Sequence, residues 1–148
     1  MKRPSRAALF EELTAAALCA QKHAYAPYSR FRVGSAVWAL NTKSGEERLF
    51  AGANVENASF GLALCAERNA IASAISEGFR ELKAIAIATG SQPPGSPCGL
   101  CLQTMVEFAV DLDVILLNTH GDRHKTKLSQ LIKRPFRWKG AGTERDAR

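Results

Sequence analysis

The chain has 148 residues, of which 46% are hydrophobic and 23% charged, and its formal net charge is +6. This length predicts about one domain, and the ordinary composition excludes a disordered or collagen-like chain. No apolar run reaches the roughly 18 residues of a transmembrane helix, and Glu11 and Glu12 interrupt the N-terminal apolar stretch. We therefore expect neither a membrane span nor a secretory signal, and we predict a cytoplasmic protein.

The positive charge is concentrated at one end of the chain. Residues 122–148 contain 9 Lys and Arg against 3 Asp and Glu, whereas residues 1–121 contain 11 of each. A surplus of this kind is more typical of a solvated tail than of a nucleic-acid site. The sequence therefore favours a basic tail at 137–148 and does not call for a nucleic-acid partner.

The first half of the chain predicts a helix followed by a hairpin. Apolar residues recur every three to four positions over 5–22, which indicates an amphipathic helix, and Pro27 ends the helical pattern. Residues 31–40 and 48–54 are short, partly β-branched segments on either side of a polar turn at Gly45. They predict two antiparallel strands.

The second half alternates helices with buried strands. Helical periodicity over 65–77 ends at Gly78, and a second helical segment follows at 99–109. Residues 82–89 and 113–118 are almost continuously apolar, as strands buried on both faces are. The alternation predicts an α/β domain with a partly parallel sheet, and we assign it to residues 1–136.

Three of the four cysteines form a pattern typical of a zinc site. Cys65, Cys98 and Cys101 each lie where a predicted loop enters a helix, a position that favours thiolate over thiol. Three thiolates can fill three tetrahedral positions on Zn²⁺ and leave the fourth for water, whose pKa then falls to about 7. Glu67, two residues after Cys65, is placed to move protons beside that water.

A set of motifs resembles the zinc-dependent cytidine deaminases of the small homotetrameric type. The CAE and PCxxC pattern is typical of that superfamily. The resemblance covers about residues 5–136 and rests on YAPYSRFRVGSAV (25–37), NVENASFG (54–61), CAERNAI (65–71), ISEGF (75–79), PCGLC (97–101), MVEF (105–108) and, more weakly, LSQLIKRPF (128–136). It implies a three-layer α/β/α fold with a mixed sheet of roughly five strands.

The resemblance also implies a role for each matching residue. Cys65, Cys98 and Cys101 would bind one Zn²⁺ per subunit, with Glu67 as the proton shuttle and Arg68 offsetting the thiolate charge. For the nucleoside substrate, the family pattern implies ribose contacts from Asn54 and Glu56, base contacts from Phe31 and the Ala66 backbone, and contacts to a neighbouring subunit's site from Phe60 and Phe136.

Two positions depart from the family pattern. The family commonly has Arg directly after the last zinc cysteine, and this chain has Leu102. That difference predicts a weaker Lewis acid, with charge compensation left to Arg68 and the helix termini. Many members have Tyr where this chain has Phe60, so a hydroxyl contact at the ribose is lost.

The reaction implied by the resemblance is hydrolytic deamination of cytidine and deoxycytidine to uridine and deoxyuridine, in pyrimidine salvage. Three alternatives remain open at this stage. The substrate could be a modified cytosine nucleoside or a nucleoside antibiotic, or a polynucleotide recruited by the basic tail, or the chain could be a zinc-binding module without turnover.

A structural zinc site would need a fourth protein ligand. We expect Cys19, in the first helix, to be a small core residue instead, and His23, His120 and His124 to be solvated. A redox CxxC pair would not explain Glu67 or the NVEN motif. These residues therefore favour an open zinc site, and the resemblance implies a homotetrameric enzyme.

Overall fold

The computed structural model describes residues 5–138, so residues 139–148 of the tail predicted at 137–148 lie outside the described residues. Within them, no helix combines the length and the apolar character needed to cross a bilayer. The elements in chain order are α1 (Arg6–Gln21), β1 (Gly34–Leu40), β2 (Glu47–Ala53), a 3₁₀ turn (Phe60–Leu62), α2 (Ala66–Ser76), β3 (Glu81–Thr89), α3 (Gly99–Phe108), β4 (Asp113–Asn118), β5 (Arg123–Lys127) and α4 (Leu128–Leu131).

The strands form one mixed sheet in the order β2-β1-β3-β4-β5. Strands β3 and β4 are parallel and are joined by α3, and the other three neighbouring pairs are antiparallel. The parallel pair brings the ends of β3 and β4 to the same edge of the sheet, beside the loop that leads into α3. The mixed five-stranded sheet confirms the predicted fold.

Helices cover both faces of the sheet because alternate residues of a strand point to opposite sides. In β3, Ala84, Ala86 and Ala88 pack against Leu13 and Ala17 of α1. The intervening residues Ile85 and Ile87 belong to the larger core on the other face, with α2 and α3. Three layers result, and the alanine face lets α1 approach the sheet closely.

Gly34 shows how close that approach is. A Cβ atom at this position would lie 2.1 Å from the carbonyl oxygen of Ala17 and 2.3 Å from the amide nitrogen of Gln21. Both are backbone atoms of α1, which cannot move aside as a side chain can. Glycine at 34 is therefore required by the contact between β1 and α1.

The first seven predicted helices and strands are confirmed with ends shifted by at most three residues. Three elements were not predicted, namely the 3₁₀ turn, β5 and α4. The sequence of β5, RHKTK, has no apolar alternation because it is a charged strand at the sheet edge, exposed at Arg123, His124 and Lys125.

Asp113, at the start of β4, joins α1 and β5 through two cations, and we expect its replacement by asparagine to destabilise the fold. Its carboxylate pairs with Arg6 and lies 2.6 Å from Lys127 Nζ. Burial raises the pKa of Asp113, but hydrogen bonds and charge from Lys127 and Arg6 outweigh it, so the pKa is lowered overall. Because the side chain of Arg6 is 71% exposed and that of Lys127 is 45% exposed, Asp113→Asn should lower the free energy of unfolding by only about 1 kcal/mol at pH 7.

The pH dependence of urea unfolding tests this pairing. A lowered pKa in the folded state contributes stability above the unfolded pKa of about 3.9, and that contribution is lost as pH falls through the folded value. The difference between wild type and Asp113→Asn should therefore be full at pH 7 and shrink below about pH 4. Glu11→Gln, which breaks a more exposed pair with Arg123, is the control with little effect. An Asp113→Asn deficit that is unchanged at pH 3 would contradict the prediction.

Candidate metal centre and active site

The three cysteines predicted as metal ligands lie together between two helix N-termini. Cys65 and Cys98 are the N-cap residues of α2 and α3, and Cys101 lies in the first turn of α3. Their Sγ atoms all lie within 4.8 Å of one another, with Cys65–Cys98 at 3.9 Å and Cys98–Cys101 at 3.6 Å. Neither Cys65 nor Cys98 makes a capping hydrogen bond with its side chain, so both thiols are available to a metal.

The sulfur geometry fits a zinc ion. With Zn–S bonds of about 2.3 Å and tetrahedral angles, neighbouring sulfur atoms stand about 3.8 Å apart. The two measured separations lie on either side of that value. Among residues 5–138, the group of potential metal ligands contains these three cysteines and no fourth side chain. A tetrahedral ion held here keeps one position open, as in catalytic zinc sites.

The thiols are polarised even without an ion. A hydrogen bond from Cys101, followed by contacts with Arg68 and Cys98, lowers the pKa of Cys65 from 9.0 to about 5, against the opposing effect of burial. The Cys101 thiol, as the donor to that thiolate, has a raised pKa. Arg68 Nη2 lies 3.7 Å from Cys65 Sγ and also donates to the carbonyl oxygen of Ala63 at 3.0 Å. Arg68 thus lies where it can offset thiolate charge.

Glu67 is buried beside this cluster. It is the second residue of α2 and is only 4% exposed. Burial, with the charge of Cys65 as a further contribution, raises the pKa of Glu67 above its ordinary value. A carboxyl group in such surroundings can both accept and release a proton, which is the property that general acid–base chemistry requires.

A cavity of about 190 Å³ opens onto Glu67 and two of the cysteines. It brings together most of the residues predicted for the site, namely Phe31, Asn54, Cys65, Ala66, Glu67 and Cys98. Cys101 lies behind them, fully buried. The remaining lining residues were not predicted from the sequence, and they are Val33, Ile87, Thr89, Gly95 and Ser96.

Thr89 is one of two hydroxyl-bearing residues that were missed, the other being Ser96. Thr89 is buried at the end of β3, and its Oγ1 accepts a hydrogen bond from the amide of Gly95 at 2.9 Å. This bond ties the loop before Cys98 to the sheet. A polar residue directly after the apolar run AIAIA (84–88) was the available signal, since ligand sites in α/β sheets favour strand ends.

Asn54 and Glu56 support the loop that carries Phe31. Asn54 Nδ2 donates to the carbonyl oxygen of Phe31 at 2.9 Å, and Asn54 Oδ1 accepts from the amide of Val33 at 2.8 Å. Glu56 Oε2 accepts from the amides of Tyr28 and Ser29. Of the two predicted ribose ligands, only Asn54 lines the cavity of this chain.

Phe60 and Phe136 do not line that cavity. Phe60 is 80% exposed, with its ring centroid 6.4 Å from that of Tyr28. Phe136 is 70% exposed, and its backbone is held by Gln103 through bonds of 2.8 and 3.1 Å. Their expected contact with a neighbouring subunit stays a prediction, since both rings are accessible on the surface of one chain.

Cys19 is exposed and Leu102 is partly buried. The expectation that Cys19 is a core residue was wrong, because the buried stripe of α1 runs through Leu13, Thr14, Ala17 and Gln21 and leaves Cys19 exposed. Cys19 is not part of the ligand group. Leu102 packs, partly buried, against the core on the α2–α3 face.

Comparison with known proteins supports the assignment of this site. Residues 9–117 match the family model described as the cytidine and deoxycytidylate deaminase zinc-binding region. A cytidine deaminase of Halalkalibacterium halodurans is 45% identical over 121 residues, covering 81% of this chain and 88% of that protein. One from Sporosarcina psychrophila is 37% identical over 127 residues, covering 85% and 90% of the two chains.

Solved structures share the fold. A crystal structure of cytidine deaminase from Burkholderia pseudomallei is 42% identical, with a TM-score of 0.77, and covers 85% of this chain and 98% of that one. The cytidine deaminase structure from Mycobacterium tuberculosis is 34% identical, with a TM-score of 0.70 and coverages of 87% and 98%.

Three thiols at zinc spacing, an open coordination position and a buried carboxyl group define a zinc-dependent hydrolase on an α/β/α scaffold. With 109 contiguous residues matched by its model, the chain belongs to the cytidine and deoxycytidylate deaminase family.

Proposed function

We propose that this protein converts cytidine and deoxycytidine, with water, into uridine or deoxyuridine and ammonia. The observation that carries the proposal is the position of Glu67, a buried carboxyl group in the same cavity as two of the three zinc-spaced cysteines. The names of the relatives support the choice of substrate. In a cell this reaction belongs to the salvage of pyrimidine nucleosides, and we propose a cytoplasmic location.

The chemistry divides between the metal and Glu67. A zinc ion held by Cys65, Cys98 and Cys101 supplies Lewis acidity that activates water at neutral pH. Glu67 takes a proton from the attacking water and delivers it to N3 of the base. The water oxygen bonds to C4, and Glu67 then takes the second proton from that oxygen and passes it to the amino group, which leaves as ammonia as the C4–N bond breaks and the C4 carbonyl forms. The raised pKa of Glu67 suits a group that must give back the proton it takes.

The cavity residues are proposed to hold the nucleoside. Phe31 packs against the base, the Ala66 backbone contacts its exocyclic edge, and Asn54 and Glu56 bind the ribose 3′-hydroxyl. Arg68 offsets the thiolate charge at Cys65, from which its Nη2 is 3.7 Å away.

We also propose that the chain forms a homotetramer in which Phe60 and Phe136 complete a neighbouring site. Specific activity should then fall when the protein is diluted to monomers, as sedimentation measured in parallel would show.

Removal of zinc is the direct test of the reaction. Protein with one zinc per chain should release ammonia from cytidine, with the accompanying ultraviolet change. Dialysis against a chelator should lower this rate by at least about 10³-fold, because the open metal position activates the water. Adding back one equivalent of zinc should restore it. Metal-free protein that remains fully active would contradict the proposal.

Leu102 keeps a modified cytosine nucleoside as the second candidate substrate. An apolar side chain stands directly after Cys101, where the family pattern has Arg, and it packs into the core. Rates with C5- and N4-substituted cytidines, set against cytidine, separate the two candidates. A kcat/KM that is higher for a substituted cytidine would favour the second.

The domain assignment is also proposed. Residues 1–136 are taken as the catalytic domain and 137–148 as a basic tail without a role in turnover. Deleting 137–148 should leave kcat/KM for cytidine unchanged. A loss of polynucleotide binding on the same deletion would instead support the polynucleotide alternative.

A further inference from the structure

The loop that brings Phe31 to the cavity contains a strained residue. Arg30 has a φ of 59°, in the left-handed region, and its amide donates to the carbonyl oxygen of Ala26 at 3.0 Å. For a residue other than glycine this conformation costs about 1 kcal/mol or more. It reverses the chain between Ser29 and Phe31, so the turn must be held by other contacts.

The hydroxyl group of Ser29 supplies two of those contacts. It donates to Oε1 of Glu56 and accepts from the amide of Phe31 at 3.0 Å. Glu56 also accepts, through Oε2, from the amides of Tyr28 at 2.9 Å and Ser29 at 3.2 Å. One oxygen atom therefore links the Glu56 carboxylate to the backbone of the cavity-lining aromatic residue.

Phe31 is held from its other side by Asn54. The carbonyl oxygen of Phe31 accepts from Asn54 Nδ2, and its amide is the donor to Ser29. Both backbone polar groups of Phe31 are thus bonded to side chains, one from the 54–56 segment directly and one through Ser29. Removing the Ser29 hydroxyl would release the amide and one carboxylate oxygen together.

We propose that Ser29 is a positioning residue for nucleoside recognition, because its hydroxyl sets the Glu56 carboxylate at a fixed place relative to the Phe31 ring. The inference rests on the proposed function, in which Glu56 binds the 3′-hydroxyl and Phe31 packs against the base. Groups that are held before the ligand arrives bind it with less loss of conformational entropy. The same hydroxyl is the main cause of the lowered pKa of Glu56, which keeps that group an acceptor.

The test compares Ser29→Ala with Ser29→Thr on two substrates. For cytidine, Ser29→Ala should raise KM about tenfold with kcat nearly unchanged, and Ser29→Thr, which keeps a hydroxyl, should recover most of the loss. For 3′-deoxycytidine, which lacks the group that Glu56 binds, the rise in KM on Ser29→Ala should be clearly smaller. Ser44→Ala is the matched control. Ser44 Oγ also accepts a hydrogen bond from the amide of the second following residue, Glu46, at 3.3 Å, but in a turn away from the cavity.

Each outcome decides between the possible roles of Ser29. Equal rises in KM for the two substrates, or a fall in kcat alone, would overturn the positioning role and leave Ser29 as a merely structural residue. Unchanged KM values in Ser29→Ala, with thermal unfolding like that of wild type, would overturn it as well. Wild-type protein that does not turn over cytidine would instead overturn the proposed function, and the inference with it.

Discussion

Glu67→Gln is expected to lower kcat for cytidine by at least about 10³-fold, while zinc content and fold stay as in wild type. The amide keeps the shape of the side chain but cannot take a proton from water or return one to the leaving group. Positioned acid–base groups contribute about 10²–10⁴-fold to a rate, and here one group serves successive proton transfers. Because Glu67 is 4% exposed, bulk water is poorly placed to replace it.

Three measurements on the same preparation make this prediction specific. Ammonia release gives kcat, metal analysis gives the zinc content per chain, and thermal unfolding shows that the fold is intact. Glu12→Gln, an exposed acid-to-amide change on α1, is the matched control and should behave as wild type. A Glu67→Gln variant within about tenfold of wild type, with zinc bound, would remove Glu67 from the proton-transfer role.

The metal cluster could be predicted because its sequence signal is local. Cys98 and Cys101 lie within one turn of α3, and Cys65 and Glu67 lie at the start of α2. Residues three apart, such as Cys98 and Cys101, lie on one face of a helix, whereas residues two apart do not, and Cys65 is the extended N-cap residue of α2 rather than a residue within the helix. Cys65 and Cys98 are 33 residues apart in the chain, and only the family resemblance indicated that they lie together in space. Packing of both helices on one face of the sheet produces it.

Contacts between residues far apart in the chain, and the turns that allow them, left no local pattern in the sequence. The bond from Ser29 to Glu56 spans 27 residues, and the strained turn at Arg30 that permits it carries no glycine or asparagine. Thr89 differs from these contacts, because its position at the end of an apolar run was a signal, but that run was interpreted only as part of the core. The hydrogen-bond partners of the Ser29 and Thr89 hydroxyl groups are brought together only by the tertiary structure. Composition and periodicity do not reveal them.

The fifth strand was missed for a related reason. All five residues of β5 are polar or charged, so the strand shows no alternation of apolar and polar residues. It pairs with β4 at the edge of the sheet, where its charges discourage association with other sheets. The helical stripe of α1 was predicted, but the face on which Cys19 lies was not. The apolar spacing of α1 does not distinguish a cysteine at the border of the buried face from one within it. The exposure of Cys19 is therefore decided by how α1 packs on the sheet.

Gly52→Ala is the second large effect that we expect, on stability and activity together. Gly52 is buried in β2, and a Cβ atom there would lie 2.5 Å from the amide nitrogen of Ala70 and 2.8 Å from the carbonyl oxygen of Ala66. Both atoms belong to the backbone of α2, so no rotamer change relieves the clash. The helix must shift, and we expect the free energy of unfolding to fall by about 3 kcal/mol.

The same shift should reach the active site, because α2 begins immediately after Cys65 and contains Glu67. A displacement of about 1 Å at a catalytic group can cost roughly 10²-fold in rate. Gly90→Ala is the matched control, since a Cβ there meets nothing within 4 Å and its φ lies outside the left-handed region. Urea unfolding, zinc content and ammonia release would be measured for both variants. A Gly52→Ala protein as stable and as active as Gly90→Ala would mean that α2 does not need this close contact with β2 to hold Cys65 and Glu67 in place.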